Sequence, residues 1–504
     1  MDTNQNGAII GLDVGTTSTK GMLFDLTGAV LASAEHAYAL QTPQPGWVEL
    51  RPNDVWAAVL KTLRALVEQA GAERRVLALS LATQSGSLIP AQQDGTPVYP
   101  MITWMDSRAT EIVNRWRAEG QAETIRQTSG GSPQAGVNLA TISWLRKHRP
   151  DVFASAEHFF SADDFLVHRL TGRRCTNPSN GGRTQLLDIT TGQWDPALCT
   201  LAGIEPDQLS PVEASGAIVG RLLPEVCQAT GLPESTVVVN GGHDQACTAL
   251  GLGVTEPGHL LLACGTSWVI AGVVGTPPDS LPEQLSLDAY PPSHRWTVSQ
   301  LLGGLGACLT WLLDQCWPAA DADGSQTRAD RFALLNAALQ KTALGSDGLV
   351  FLPLTGGHRA ATEIEQGAFL GLRLDHNRVD MARAVLEGVA YEVRWALEQI
   401  RGADIPVHAL WMIGGATRSP LWPQIIADVT HLPVTLPASK DWPAVGAAIL
   451  AGVGVGVFDS LENGQRRFRG ERQHIAPDPA HAAIYDQHFA RYQQMAQRTH
   501  AILN

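Results

Sequence analysis

The chain has 504 residues, a length at which one hydrophobic core gives way to two, because cores stop growing near ~250–300 residues. With 44% hydrophobic and 17% charged residues it holds ample material for packed cores, which excludes a disordered chain. Its net charge of -13 excludes a protein built to neutralise phosphate backbones, so a small-molecule partner is expected and nucleic acid is not.

The first elements read as strand, turn, strand. Ile9-Ile10-Gly11-Leu12 leads to a Gly15-Thr16-Thr17-Ser18 turn, and Gly21-Met22-Leu23-Phe24 returns. Gly11 and Gly15 let backbone approach a phosphate, Thr16, Thr17 and Ser18 offer donors, and Lys20 adds positive charge. Asp13 stands among Ile10, Leu12 and Val14, where an acid costs free energy unless it is paired or bound to metal. Neither the P-loop nor the Rossmann pattern is present at this turn.

Pro52-Asn53-Asp54 opens a helix with Trp56, Val59, Leu60, Leu63 and Val67 on one face, and a buried strand follows at Val76 to Ala82. After a strand-like run from Val98 to Thr103, an extended chain would put Trp104, Asp106 and Arg108 on one side. Carboxylate, guanidinium and aromatic plane together suit a polyol, although Asp106 can equally cap the next helix. Asn240-Gly241-Gly242-His243-Asp244-Gln245 then joins an apolar strand to a helix. Asp244 there is a helix cap, a general base for a hydroxyl, or both.

Leu260 to Val274 is broken by Gly265-Thr266-Ser267 and falls short of the ~20 residues of a membrane helix, so it reads as two strands around a turn. Leu262-Ala263-Cys264-Gly265-Thr266 repeats the form of Leu12-Asp13-Val14-Gly15-Thr16, so each half carries one phosphate hairpin, with a carboxylate in the first only. The boundary falls near Gly253 to Pro257, giving domains 1–253 and 254–504. A long helix from Ala382 to Ile400 precedes the strand Ala409 to Ile413 and a Gly414-Gly415 turn, where a flat ring can lie on bare backbone. The small-residue helix Ala444 to Ala451 can pack closely beneath it. Strands alternating with helices make the class α/β.

Met1 to Gly7 lacks a basic signal-peptide region. Seven cysteines, odd in number and without a Cys-x-x-Cys pair, predict reduced thiols, a cytoplasmic location and no zinc site. No membrane association is expected, and a homodimer is compatible with this picture.

Taken together, the four glycine- and acid-bearing stretches resemble the FGGY carbohydrate kinase family, in its order and over nearly the whole chain. The resemblance implies two actin-like (ribonuclease H-like) domains with a nucleotide and sugar cleft between them, ATP as donor and magnesium. It implies Asp13 as a magnesium carboxylate, with Asp244 beside the metal and catalytic. Gly265, Thr266 and Ser267 would be the second phosphate motif, and Gly414, Gly415, Ala416 and Ser419 the adenosine motif. Gln84, Ser85, Trp104, Asp106, Arg108, Asp244 and Gln245 are the expected sugar contacts.

Ala162 to Phe165, Arg169 to Gly172, Asn177 to Ser179 and Ala382 to Val389 are most similar to xylulokinases, so D-xylulose is the expected substrate, with ribulose, fuculose, glycerol and gluconate as alternatives. The chain departs from that pattern at Gln84-Ser85-Gly86, where xylulokinases carry Met-His-Gly, and at Gly357-His358-Arg359-Ala360-Ala361, where they carry Gly-Glu-Arg-Thr-Pro. It departs again at His243-Asp244-Gln245, which replaces Gly-Asp-Asn. The rival of another class is a chaperone-like, nucleotide-gated binding protein with the same phosphate hairpins.

Overall fold

The structure, a computed structural model, describes residues 6–71, 74–291, 295–317, 327–358, 366–438 and 441–503. Two large sheets organise it. In the first, β1 (Gly7–Val14), β2 (Ser18–Asp25), β3 (Val30–Ala37), β4 (Arg75–Thr83), β5 (Ile218–Arg221) and β6 (Val237–His243) stand in the order β5-β6-β4-β1-β2-β3. The second is built of β7 (Gly258–Cys264), β8 (Trp268–Val274), β9 (Ser286–Ala289), β10 (Trp296–Gly303), β11 (Val407–Gly414), β12 (Val434–Pro437) and β13 (Arg472–Ile475). Its order is β13-β12-β11-β7-β8-β10-β9.

The faint sequence repeat is a repeat of architecture. β1 runs antiparallel to β2 and parallel to β4, as β7 runs antiparallel to β8 and parallel to β11. The flanking strands match too: β6 is parallel to β4 and antiparallel to β5, and β12 is parallel to β11 and antiparallel to β13. Both central strands are covered on two faces, which is why they read as unbroken apolar runs and not as alternating ones.

Helix α1 (Pro52–Ala70) covers the first sheet with Val55, Trp56, Val59, Leu63 and Leu66. Helices α2 (Asp244–Leu252) and α5 (Trp442–Gly454) each follow a parallel strand of their own half and pack against one another; α3 (Arg378–Gly402) and α4 (Trp422–Thr430) cover the second sheet. The close approach of α2 and α5 depends on glycine, since a Cβ at Gly446 would lie 2.0 Å from the Cys247 carbonyl oxygen. α5 also lies on β1, where a Cβ at Gly11 would lie 1.8 Å from the Ala444 carbonyl oxygen. The small-residue helix thus packs under the first sheet, not beneath the Gly414 turn. Within Val98 to Thr103 the strand is short: Met101–Ile102 pairs with Glu49–Leu50, and Ile102 also bridges Leu88. Among the described residues, no helix is long and apolar enough to cross a membrane.

Candidate active site

The two hairpin tips face a shared cavity of about 340 Å³. Thr16 of the β1–β2 turn, Ala263 near the end of β7 and Ser267 of the β7–β8 turn line it, together with Gln84, Ser85, Trp104, Asp244 and Gln245. The first turn is braced from outside: Gly15 N–H donates to the Ser18 carbonyl (3.0 Å), and Tyr38 Oη and Gln84 Nε2 donate to the Gly15 carbonyl (2.6 and 3.2 Å). Thr17 is exposed at the tip, while the Ser18 hydroxyl donates to Glu35 (2.8 Å). Gly15 and Gly265 have room to spare, because an added Cβ would meet nothing nearer than 3.6 and 3.4 Å. That opening suits phosphate oxygens.

Gly11 does not share it. Its bare face is occupied by Ala444, so the glycine is required by helix packing and its expected place at the nucleotide is corrected. At the end of β11, Gly414 adopts φ +98° and lies so close to Cys264 that a Cβ would be 2.5 Å from its carbonyl oxygen. This sets the Gly414-Gly415-Ala416 turn beside the second hairpin. Gly415 and Thr266 are exposed, Ala416 is buried, and Ser419 Oγ donates to Asn336 (3.0 Å) at the start of α4.

Three acids converge near the first hairpin. Burial pushes the Asp13 carboxyl well above the usual carboxylate range, and the Asp441 and Asp244 carboxylates push it further, with Lys20 opposing them. Asp441, unmarked in the sequence reading, caps α5 through Ala444 N–H (3.3 Å) and pairs with Lys20 at 3.7 Å. Lys20 therefore answers an acid as well as offering charge to a phosphate. No three His, Cys, Asp or Glu side chains form a ready-made metal cage among the described residues. Asp13 with Asp244 nevertheless fits magnesium, which takes one or two carboxylates and completes its shell with water and phosphate oxygens.

Asp244 is the first residue of α2, and His243 occupies the cap position with no side-chain capping bond. Its Oδ1 accepts from Gln245 N–H (2.6 Å) and lies 2.9 Å from His243 Nε2, so neither contact uses Oδ2. Trp104, 49% exposed, reaches across the cavity mouth and donates from Nε1 to Thr16 Oγ1 (3.0 Å). An aromatic wall is thereby tied to a phosphate hairpin.

Asp106 and Arg108 lie elsewhere. The chain turns at Trp104-Met105, so the period-two face does not form. Arg108 donates to Asp106 and to Glu49 Oε1 (2.8 Å), and its guanidinium stacks 3.9 Å from the Trp47 ring centre. Asp106 also accepts from Val48 N–H at 2.6 Å. The two form a buried ion cluster that fixes the loop, and their expected role as sugar contacts is corrected. Arg108→Ala should therefore cost about 3–5 kcal/mol by leaving two buried carboxylates unpaired, read as a lowered denaturation midpoint. Normal stability with a raised sugar KM would restore the contact role.

Arg183 and Asp288, which no feature of the sequence marked, also line the cavity, as does His243 of the departing His243-Asp244-Gln245 stretch. Arg183 follows a short helix, Pro178–Gly182, and Asp288 lies on β9; neither carries a local motif. His358 is structural: its N–H and Nδ1 both meet Glu392 Oε2 (2.6 Å), and its ring stacks on Trp395. Arg359, Ala360 and Ala361 lie outside the described residues.

Residues 8–251 match the N-terminal domain of the FGGY family of carbohydrate kinases, and residues 260–455 match its C-terminal domain. The chain is 29% identical over 503 residues to autoinducer-2 kinase of Escherichia coli, covering 97% of this chain and 94% of that one. It is 27% identical over 457 residues to gluconokinase of Bacillus subtilis, covering 90% and 89%. The crystal structure of xylulose kinase from Rhodospirillum rubrum superposes with a TM-score of 0.91 at 28% identity, over 98% of this chain and 99% of that one. The paired hairpins, the cleft between the sheets and both domain matches agree: the chain belongs to the FGGY family of carbohydrate kinases and is an ATP-dependent sugar kinase.

Proposed function

We propose that this kinase transfers the γ-phosphate of ATP to a terminal hydroxyl of an uncharged open-chain sugar, a ketopentose in the first place and D-xylulose first among these. The observation that carries this reading is that Asp244 lines one cavity with both hairpin tips and with Gln84, Ser85 and Trp104. Residues 1–253 would supply the base, the first hairpin and most sugar contacts; residues 254–504 would supply the second hairpin and the adenosine turn.

Asp244 Oδ2 takes the proton of the acceptor hydroxyl while Gln245 and His243 hold Oδ1 in place. Thr16, Thr17 and the Gly265-Thr266-Ser267 turn hold the phosphates through N–H and hydroxyl donors. Asp13 and Asp244 would hold magnesium, whose chemistry when bound is to supply positive charge against the phosphates. Trp104 covers the acceptor and helps exclude water, which limits wasteful hydrolysis of ATP.

Charge favours a neutral acceptor. Among the described lining residues Arg183 is the one Lys or Arg, and it is already paired with Asp288. With Asp244 and Asp288 both lining the cavity against Arg183 alone, the carboxylate of an aldonate would meet a wall of net negative charge. Although gluconokinase of Bacillus subtilis is among the relatives, an ATP-coupled screen over D-xylulose, L-xylulose, D-ribulose, L-fuculose, glycerol and D-gluconate should therefore rank a ketopentose first and gluconate far below it. Gluconate giving the highest kcat/KM would overturn the substrate class and leave the kinase assignment standing. The family match does not favour the nucleotide-gated chaperone.

A further inference from the structure

The cavity wall opposite Gln84 and Trp104 comes from the second half of the chain. On β9, Ser286 and Asp288 line the cavity while Leu287 between them is buried in the core, as the two-residue period of a strand requires. Asp288 is held on both oxygens: Oδ1 accepts from Arg183 at 3.0 Å, and Oδ2 accepts from Ser299 Oγ of β10 at 2.8 Å. Burial works against its charge, but Arg183 and Ser299 outweigh it and hold the carboxyl below the usual carboxylate range.

Arg183 belongs to the first half. The short helix before it, Pro178–Gly182, is capped by Asn177, which accepts from Asn180 N–H, and its Ser179 Oγ accepts from His243 N–H at 2.9 Å. The segment carrying Arg183 is thereby fastened to the residue just before Asp244. Of the five N–H donors of the guanidinium, one goes to Asp288, and no other protein acceptor takes the rest among the described residues. An ionised carboxylate also keeps lone pairs free after accepting two bonds.

We infer that Arg183 and Asp288 form a recognition pair for a vicinal diol, assembled across the two halves of the chain. Arg183 donates to one hydroxyl oxygen of the acceptor sugar and Asp288 accepts from the adjacent hydroxyl. The inference rests on the cavity being the sugar site, and it deepens that reading in two ways. It makes the second domain a sugar-binding partner and not only a nucleotide platform. It also ties tight sugar binding to the docked position of β9, because an open cleft separates the two residues.

The test is calorimetric titration of full-length protein, without nucleotide, with D-xylulose, D-ribulose, glycerol and D-gluconate in turn, alongside direct ATP titration. Asp288→Asn and Arg183→Gln should each raise the Kd of the sugar that the wild type binds best by tenfold or more and leave the Kd for ATP within twofold. The double variant should be no weaker than the weaker single variant, as expected of two residues acting as one unit. Should Asp288→Asn fail to fold, Ser299→Ala removes one support of the same carboxylate and should raise the sugar Kd two- to fivefold.

Sugar binding within twofold of wild type in a well-folded Asp288→Asn, or in Ser299→Ala where that variant stands in, overturns the pair; if Asp244→Asn still abolishes transfer, the base assignment survives. Equal weakening of sugar and ATP also overturns it, as the mark of a structural ion pair. A wild type that binds none of the four acceptors removes the sugar-site reading itself, and the pair with it.

Discussion

Asp244→Asn is expected to keep the wild-type melting temperature and to lose turnover by roughly 10²–10⁴, the usual worth of a positioned general base. The first expectation follows from geometry. The N-cap position of α2 is His243 and not Asp244, and it makes no side-chain capping bond, so the substitution removes no N-cap. Its contacts to Gln245 N–H and His243 Nε2 are both to Oδ1, an atom that an amide also presents as an acceptor. The second expectation follows from chemistry, because the amide cannot take the hydroxyl proton. Sugar and ATP affinities should stay close to wild type. If the variant turned over within a few-fold of wild type, with chemistry shown to be rate-limiting, another base would be required.

Asp13→Asn should behave in the opposite way for stability, becoming more stable as activity is lost. The folded protein raises the Asp13 carboxyl above its unfolded value of about 3.9, through burial first and then through Asp441 and Asp244. Below that value the acid is protonated in both states and costs nothing. As pH rises, the unfolded state ionises first, so the wild type loses stability progressively until the folded carboxyl has ionised too, and the penalty is then full. In metal-free buffer the variant should therefore melt with the wild type near pH 3.5 and above it near pH 7. Magnesium should narrow the difference at neutral pH by stabilising the wild type alone. Turnover should fall by about 10²-fold, the scale of losing one electrostatic contact to the transferred group. A variant that melts lower than wild type at neutral pH, or that keeps near-normal turnover with magnesium, would contradict this account of Asp13.

The parts of this site that were legible in the sequence are those whose signal is local. β1 and β7 are buried on both faces, so each shows as an apolar run cut by Gly-Thr, and the matching strand orders around them confirm that the two hairpins are equivalent. What misled was local pattern with a distant cause. Gly11 looks like room for a phosphate, but the atom that needs the room is the carbonyl of Ala444, brought over by a helix near the other end of the chain. Arg108 looks like a ligand contact on an extended face, but a turn at Trp104-Met105 sends it to Glu49 and Trp47, long-range partners no periodicity reveals. Arg183 and Asp288 meet only when the two halves are docked, and a polar residue on a short edge strand gives no sign of which face it will occupy. Asp441 was hidden for the same reason: nothing local marks it, yet it caps α5, answers Lys20 and crowds Asp13.

The central claim is that the cleft joins ATP to a sugar hydroxyl, and ³¹P NMR of the products tests it most directly. Wild-type protein with ATP, magnesium and the best acceptor of the screen should convert ATP to ADP and a sugar phosphate monoester in equal amounts, with little inorganic phosphate, and should leave ATP nearly intact when the sugar is omitted. Inorganic phosphate as the main product, at a rate the sugar does not change, would mean that the hairpins serve nucleotide hydrolysis and that the cavity beside Asp244 is not an acceptor site.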